Sequence, residues 1–124
     1  VDRSAATRLL ELADDETDDI TGEMITRAAQ EGDAAALACF EQVGGWLGQG
    51  LADVAATLDP DRCVIGGGVI AAGDLLLGPA RKRYAESLTA HGHRPLAEIV
   101  AATLGNDAGI VGAADLARRA AAQS

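Results

Sequence analysis

Val64-Ile65-Gly66-Gly67-Gly68-Val69-Ile70 is an apolar, β-branched run interrupted by three glycines. Arg62 to Ile65 reads as a short strand and Gly66 to Gly68 as the turn that follows it. Three residues without Cβ atoms bring bare main chain to the surface at the carboxyl end of a strand, which is where α/β folds accept nucleotides. Spacing alone leaves two readings. The glycines form a structural turn, or they form a seat where a flat purine, ribose or phosphate lies against the backbone. The run is not Gly-x-Gly-x-x-Gly, because only Gly73 follows at any distance, and it is not a P-loop, because no Gly-Lys-Ser/Thr follows.

Upstream of the strand lies a long helix, predicted from Ala34 to about Leu58. Leu37, Phe40, Val43, Leu47, Leu51, Val54 and Leu58 recur at three- and four-residue steps and form an apolar stripe. Gly44, Gly48, Ala52 and Ala55 form a second stripe of small residues. A glycine inside a helix costs about 1 kcal/mol relative to alanine, so close backbone approach by a neighbouring helix is expected there, within this unit or across a dimer. Trp46 lies off the main stripe and is expected to be partly buried, with an interface role as the alternative. Asp59-Pro60-Asp61 ends the helix. These two carboxylates read as helix termination, or as a catalytic pair.

Ahead of the long helix, Ala5 to Leu12 reads as a short helix and Asp14 to Asp19 as an exposed acidic loop. Thr21 caps a helix running to about Glu31, Gly32 ends it, and Asp33 caps the long helix. After the glycine turn, a helix starts near Gly73 and Asp74, breaks or restarts at Pro79, and continues past Tyr84 to about Ala90. Glu98 to Ala101 is the second strand. Gly105-Asn106-Asp107 is a turn, and Asp107 caps a last helix from Ala108 to about Ala122, whose Gly109, Gly112, Ala113 and Ala114 are expected to pack on the sheet. The N-terminus of that helix could also face an anion. The order is helices, strand, helix, strand, helix. A strand–helix–strand unit predicts parallel strands, and two strands alone make a poor sheet.

Composition narrows the function. One domain is expected from 124 residues. The chain is 48% hydrophobic but only 2% aromatic, so its core is built from Ala, Val, Ile and Leu. The net charge of −9 argues against a nucleic-acid surface and against anionic membranes, yet leaves room for ATP held by backbone N–H groups and magnesium. No stretch approaches the roughly 20 apolar residues of a membrane span. No signal peptide is visible, and Cys39 and Cys63 read as small buried apolar groups, which suits a reducing, cytoplasmic setting. His91-Gly92-His93 lacks surrounding ligands and reads as an exposed loop. No residue set is assigned a catalytic or a metal-binding role. Val1 stands where Met opens most native chains, so the chain is expected to be a truncation or proteolytic product.

Taken together, Glu31-Gly32-Asp33, Trp46-Leu47-Gly48, Asp59-Pro60-Asp61-Arg62-Cys63-Val64-Ile65-Gly66-Gly67-Gly68-Val69 and Gly105-Asn106-Asp107-Ala108-Gly109-Ile110-Val111-Gly112-Ala113-Ala114 resemble the C-terminal part of bacterial ROK-family sugar kinases, and are most similar to glucokinases of high-GC bacteria. The resemblance covers nearly the whole chain. It implies an α/β unit belonging to the C-terminal lobe of an actin-like, ribonuclease-H-like ATPase fold. Residues 1–59 would form a helical part and 60–124 a strand–helix–strand–helix part. It implies that Gly66, Gly67 and Gly68 are the nucleotide-binding adenosine motif, with the helix near Asp74 bordering the purine. Glucose and ATP would be the partners of the full-length enzyme, with Mg, a homo-oligomeric cytoplasmic assembly, and a structural Zn site upstream of this chain.

The family's Asp-x-Gly-x-Thr phosphate loop, its sugar-binding Asn-Asp pair with the catalytic Asp, and its Cys-rich zinc motif are not in these residues. The chain alone is therefore expected to lack kinase activity. Two alternatives are the sugar-sensing domain of a ROK-type transcriptional repressor and a kinase for another hexose.

Overall fold

The computed structural model describes residues 6–14, 16–89 and 95–122. Three helices open the chain: α1 (Thr7–Leu12), α2 (Gly22–Gln30) and α3 (Ala34–Leu58). Then follow β1 (Arg62–Ile65), a 3-10 turn at Gly68–Ala72, α4 (Asp74–Ser87), β2 (Glu98–Ala101), a second 3-10 turn at Gly105–Asp107, and α5 (Ala108–Ala122). A third 3-10 turn, Thr17–Asp19, lies within the acidic segment. Strands β1 and β2 pair in parallel, with Arg62 opposite Glu98 and Ile65 opposite Ala101. The fold is α/β, with the helical hairpin and the strand–helix–strand unit that the sequence predicts.

Local chemistry sets the boundaries. The Thr21 hydroxyl accepts from the Met24 amide at 3.3 Å and starts α2. Asp33 accepts from the Ala36 amide at 2.9 Å and starts α3. Asp59 ends α3 in the left-handed conformation (φ 46°, ψ 54°), its amide donating to Ala55 O, a geometry that Asp tolerates better than most residues. Helix termination is thus the role the fold gives this segment.

The face that α3 buries is not the expected one. Ala36, Phe40, Gly44, Gly48, Ala52 and Ala55 are its buried residues. Of the large apolar stripe only Phe40 is buried; Leu47 and Leu51 are half-buried, and Leu37, Val43, Val54 and Leu58 are exposed, Leu58 by 72%. Trp46 is 66% exposed rather than partly buried. The reason is α4, which lies directly on the small-residue stripe. A Cβ at Gly44 would stand 2.7 Å from Leu76 O and 2.8 Å from the Pro79 Cβ. The close approach is therefore within this unit. Helix α4 also runs continuously through Pro79, where a break or restart is expected from sequence. The proline removes one helical hydrogen bond, while Leu76, Leu77, Ala80 and Tyr84 keep the surrounding turns buried.

Two apolar clusters result. One joins Leu9 and Leu10 of α1, Ala28 and Ala29 of α2, Ala36 and Phe40 of α3, and Leu76 of α4. The other joins Ala52 and Ala55 of α3 to Leu77 and Tyr84 of α4 and Ile99 of β2. Polar clamps tie α4 to β2. The Arg81 guanidinium donates twice to Ile99 O, at 3.1 and 3.0 Å. The Tyr84 hydroxyl accepts from the buried Ala97 amide at 3.1 Å. Tyr84→Phe would leave that amide without its partner, and we expect a loss of about 1–2 kcal/mol in urea unfolding of the intact protein; an unchanged midpoint would show that water replaces the hydroxyl.

Helix α5 departs from expectation most. It buries no residue, Leu116 is 70% exposed, and nothing lies within 4 Å of a Cβ built at Gly109 or Gly112. The Gly109–Ala114 face does not pack on this sheet. Two four-residue strands offer too little surface to cover a further helix, and α3 and α4 already occupy the face that carries Ile99. The accessible area of 8082 Å² exceeds the roughly 6,200 Å² expected of a folded monomer of this mass. Cys39 is exposed and Cys63 half-buried, not the buried pair expected. His91 and His93 lie outside the described residues. No helix among the described residues is long and apolar enough to cross a membrane.

Candidate functional site

The glycine turn is built from the end of β1. Ile65 O accepts from the Ala102 amide at 2.8 Å, so the parallel ladder reaches the mouth of the sheet before the glycines begin. Gly67 has φ 94° and ψ 175°, a region essentially closed to residues with a Cβ. Its carbonyl accepts from the Ile70 amide at 3.2 Å and starts the 3-10 turn. Gly66 makes only ordinary contact with the Ala102 methyl, 3.6 Å from an added Cβ, and Gly68 faces open space. Gly73, at φ 57° and ψ −127°, reverses the chain again, and its carbonyl receives the Leu76 and Leu77 amides that open α4. All three glycines Gly66, Gly67 and Gly68 are exposed. The Gly105–Asp107 turn packs beside Gly68–Ala72 at the same end of the sheet, as its position after a parallel strand predicts.

An open groove of about 940 Å³ runs along this turn. Gly68, Val69 and Ala71 form one side. Helix α2 supplies the opposite wall through Glu23, Thr26, Arg27 and Gln30, and Ile25, Phe40 and Val43 give it an apolar floor. Of the three glycines only Gly68 lines it. Helix α4, expected to border the purine, contributes no described residue to the groove; it packs behind, on α3. That α2 would face the glycine turn was not foreseen from sequence. The polar residues of α2 look like an ordinary solvated face and carry no signal of it.

Charge on the α2 wall is organised by one carboxylate. Glu31 accepts from Arg8 Nε, and from Arg27 Nε at 3.2 Å. The hydrogen bond from Arg8 above all holds the Glu31 carboxyl below the usual range; desolvation pushes the other way, and Arg27 adds a further downward pull. The same contacts, Glu31 first and Glu11 second, raise the Arg8 guanidinium. Among the described residues no three His, Cys, Asp or Glu side chains converge as a metal cage.

The fold is that of an actin-like ATPase, seen here in part. The model of the ROK family matches residues 3–120, and the chain belongs to that family. It is 46% identical over 110 residues to a glucokinase of Streptomyces coelicolor, covering 89% of this chain and 35% of the relative. A glucokinase of Halalkalibacterium halodurans is 42% identical over 96 residues, covering 75% of this chain and 28% of the relative. A crystal structure of a ROK family glucokinase from Streptomyces griseus, in complex with glucose and AMPPNP, superposes with a TM-score of 0.91 at 44% identity, over 95% of this chain and 38% of that one. The chain thus spans about a third of the length of the curated relatives it matches.

Proposed function

We propose that this chain is part of an ATP-dependent glucokinase, the later portion of its C-terminal lobe, and that it supplies the adenosine wall of the interlobe cleft. The observation that carries the reading is the exposed glycine turn beside a groove, in a unit that matches a glucokinase crystallised with a sugar and an ATP analogue. The reaction is phosphoryl transfer from ATP to a glucose hydroxyl, giving glucose 6-phosphate and ADP. Such transfer depends on positioning and on stabilising charge. In this reading Gly66, Gly67 and Gly68 position the nucleoside, and the catalytic base lies outside this chain. Magnesium would travel with the triphosphate, and a structural zinc would lie elsewhere in the enzyme. The rest of the enzyme would extend the two-stranded sheet and cover α5, whose exposed apolar residues support that arrangement. A cytoplasmic location belongs to the same reading. So does association of copies, supported by Trp46 standing exposed on α3.

Gly68→Val tests the seat. Position 68 has open space around it and no positive φ, so a folded variant is expected. Its branched side chain would occupy the groove wall. In the intact enzyme we expect the KM for ATP to rise at least about tenfold, the equivalent of roughly 1.4 kcal/mol, with the KM for glucose unmoved. A folded variant with wild-type ATP affinity would remove the groove from the nucleotide site.

A further inference from the structure

The groove beside Gly68 is chemically uneven. Its floor is apolar, while its lining carries two carboxylates, Glu23 and Glu31, and one cation among the described residues, Arg27. Arg27 is already paired with Glu31 at 3.2 Å. A polyanionic phosphate chain would meet a wall of net negative charge, which repels it. A flat heteroaromatic ring suits the apolar floor. The base therefore belongs in this groove and the phosphates beyond it.

We propose that Arg27 is the residue that holds the nucleobase, stacking its guanidinium plane on the ring, with Glu31 as a positioning residue. The inference rests on the reading of the groove as a nucleotide site. A guanidinium is planar, delocalised and weakly hydrated, and it stacks on aromatic faces while its edge is engaged by a carboxylate. Glu31 takes the Nε edge of Arg27, whose side chain stays 63% exposed and so open to a stacking partner. Glu31 is fixed in turn by Arg8 of α1, which also donates to Glu11 at 3.0 Å. This relay of two ion pairs from α1 to α2 restricts where Arg27 can point. Exposed ion pairs of this kind add little to stability, so orientation is what the relay contributes.

The test is calorimetric titration of the intact enzyme with AMPPNP and, separately, with tripolyphosphate. Arg27→Ala should raise the Kd for AMPPNP about tenfold, the range expected for losing a partly desolvated cation–π contact. Arg27→Lys keeps the charge but not the plane, and should also weaken AMPPNP. Glu31→Gln should give a smaller rise, about threefold. Tripolyphosphate should bind all three variants as it binds the parent. AMPPNP affinity that survives Arg27→Ala, or tripolyphosphate binding that falls in parallel, would overturn the assignment. If Gly68→Val loses AMPPNP while Arg27→Ala does not, the inference about Arg27 alone fails. If neither variant loses it, the nucleotide reading of the groove fails as well.

Discussion

Gly48→Ala is expected to destabilise the intact protein by about 2–4 kcal/mol, although alanine is the better helix former. A Cβ at position 48 lands on the Ala80 carbonyl oxygen and lies 2.9 Å from both the Arg83 Cβ and the Tyr84 amide nitrogen. Two of these three atoms are main chain, so no side-chain rotation relieves the overlap. Helix α4 would have to move off α3 as a body, which places the cost at or beyond the upper end of the roughly 1–3 kcal/mol typical of overpacking. The gain in helix propensity, about 1 kcal/mol, does not offset it. Gly50→Ala is the internal control. Position 50 is exposed, with nothing within 4 Å of an added Cβ, so there the propensity gain stands alone and the protein should become more stable by about 0.5–1 kcal/mol. Chemical unfolding of both variants gives opposite signs two residues apart. A neutral Gly48→Ala would mean that the α3–α4 contact is looser than its geometry shows. The contact matters for the site because α3 carries the groove floor and α4 follows directly from the glycine turn.

This contact also shows what the residues reveal by themselves. The helix at Ala34–Leu58, both strands and the Asp33 cap could be read from periodicity and cap chemistry, because those signals are local. The choice of buried face could not. Two stripes compete on α3, and the larger side chains of Leu37, Val43, Val54 and Leu58 outweigh Gly44, Gly48, Ala52 and Ala55 in any hydrophobic sum. The small stripe is buried because backbone approach to α4 needs thin residues, a reason that appears only when the partner helix is in view. Pro79 is the same case: locally a helix breaker, here seated opposite Gly44. For α5, the small residues Gly109, Gly112, Ala113 and Ala114 correctly suggest a packing face, but its partner is not the two-stranded sheet of this chain. At the site, the glycine turn was legible because a strand ending in bare main chain has a fixed place in α/β folds. The α2 wall was not, since nothing in Glu23, Thr26 and Arg27 marks them as facing a groove across some forty residues of sequence.

Asp33 combines a legible role with a hidden one, and its loss should be as damaging as that of Gly48. The sequence identifies it as the cap of α3. The structure adds that its second oxygen accepts from the Arg8 amide at 2.9 Å and the Leu9 amide at 3.1 Å, capping α1 from 24 residues away. The residue is only 6% exposed. Asp33→Ala removes an N-cap, worth about 0.5–2 kcal/mol, and strands further amides at a cost of about 1–3 kcal/mol. A total near 3 kcal/mol is expected. Asp33→Asn, with one acceptor oxygen in place of two, should lose part of that.

The pH dependence separates this charge-assisted role from simple packing. Burial is the largest single influence on the carboxyl and pushes its pKa up, but the amides of Ala36, Leu9, Arg8 and Ala35 together outweigh it and hold the pKa below the ordinary value. A carboxyl depressed in the folded state stabilises fully above its unfolded pKa of about 3.9. That contribution is lost as pH falls through the folded value. The stability difference between the parent and Asp33→Asn should therefore be flat from about pH 7 to pH 5 and shrink below about pH 4. Urea unfolding across that range measures it. A difference that stays constant down to pH 2 (roughly two units below the unfolded value) would show that Asp33 acts through shape rather than charge. Because Asp33 joins the starts of α1 and α3 and directly follows the α2 segment, the same protonation should loosen the wall that carries Arg27 and Glu31.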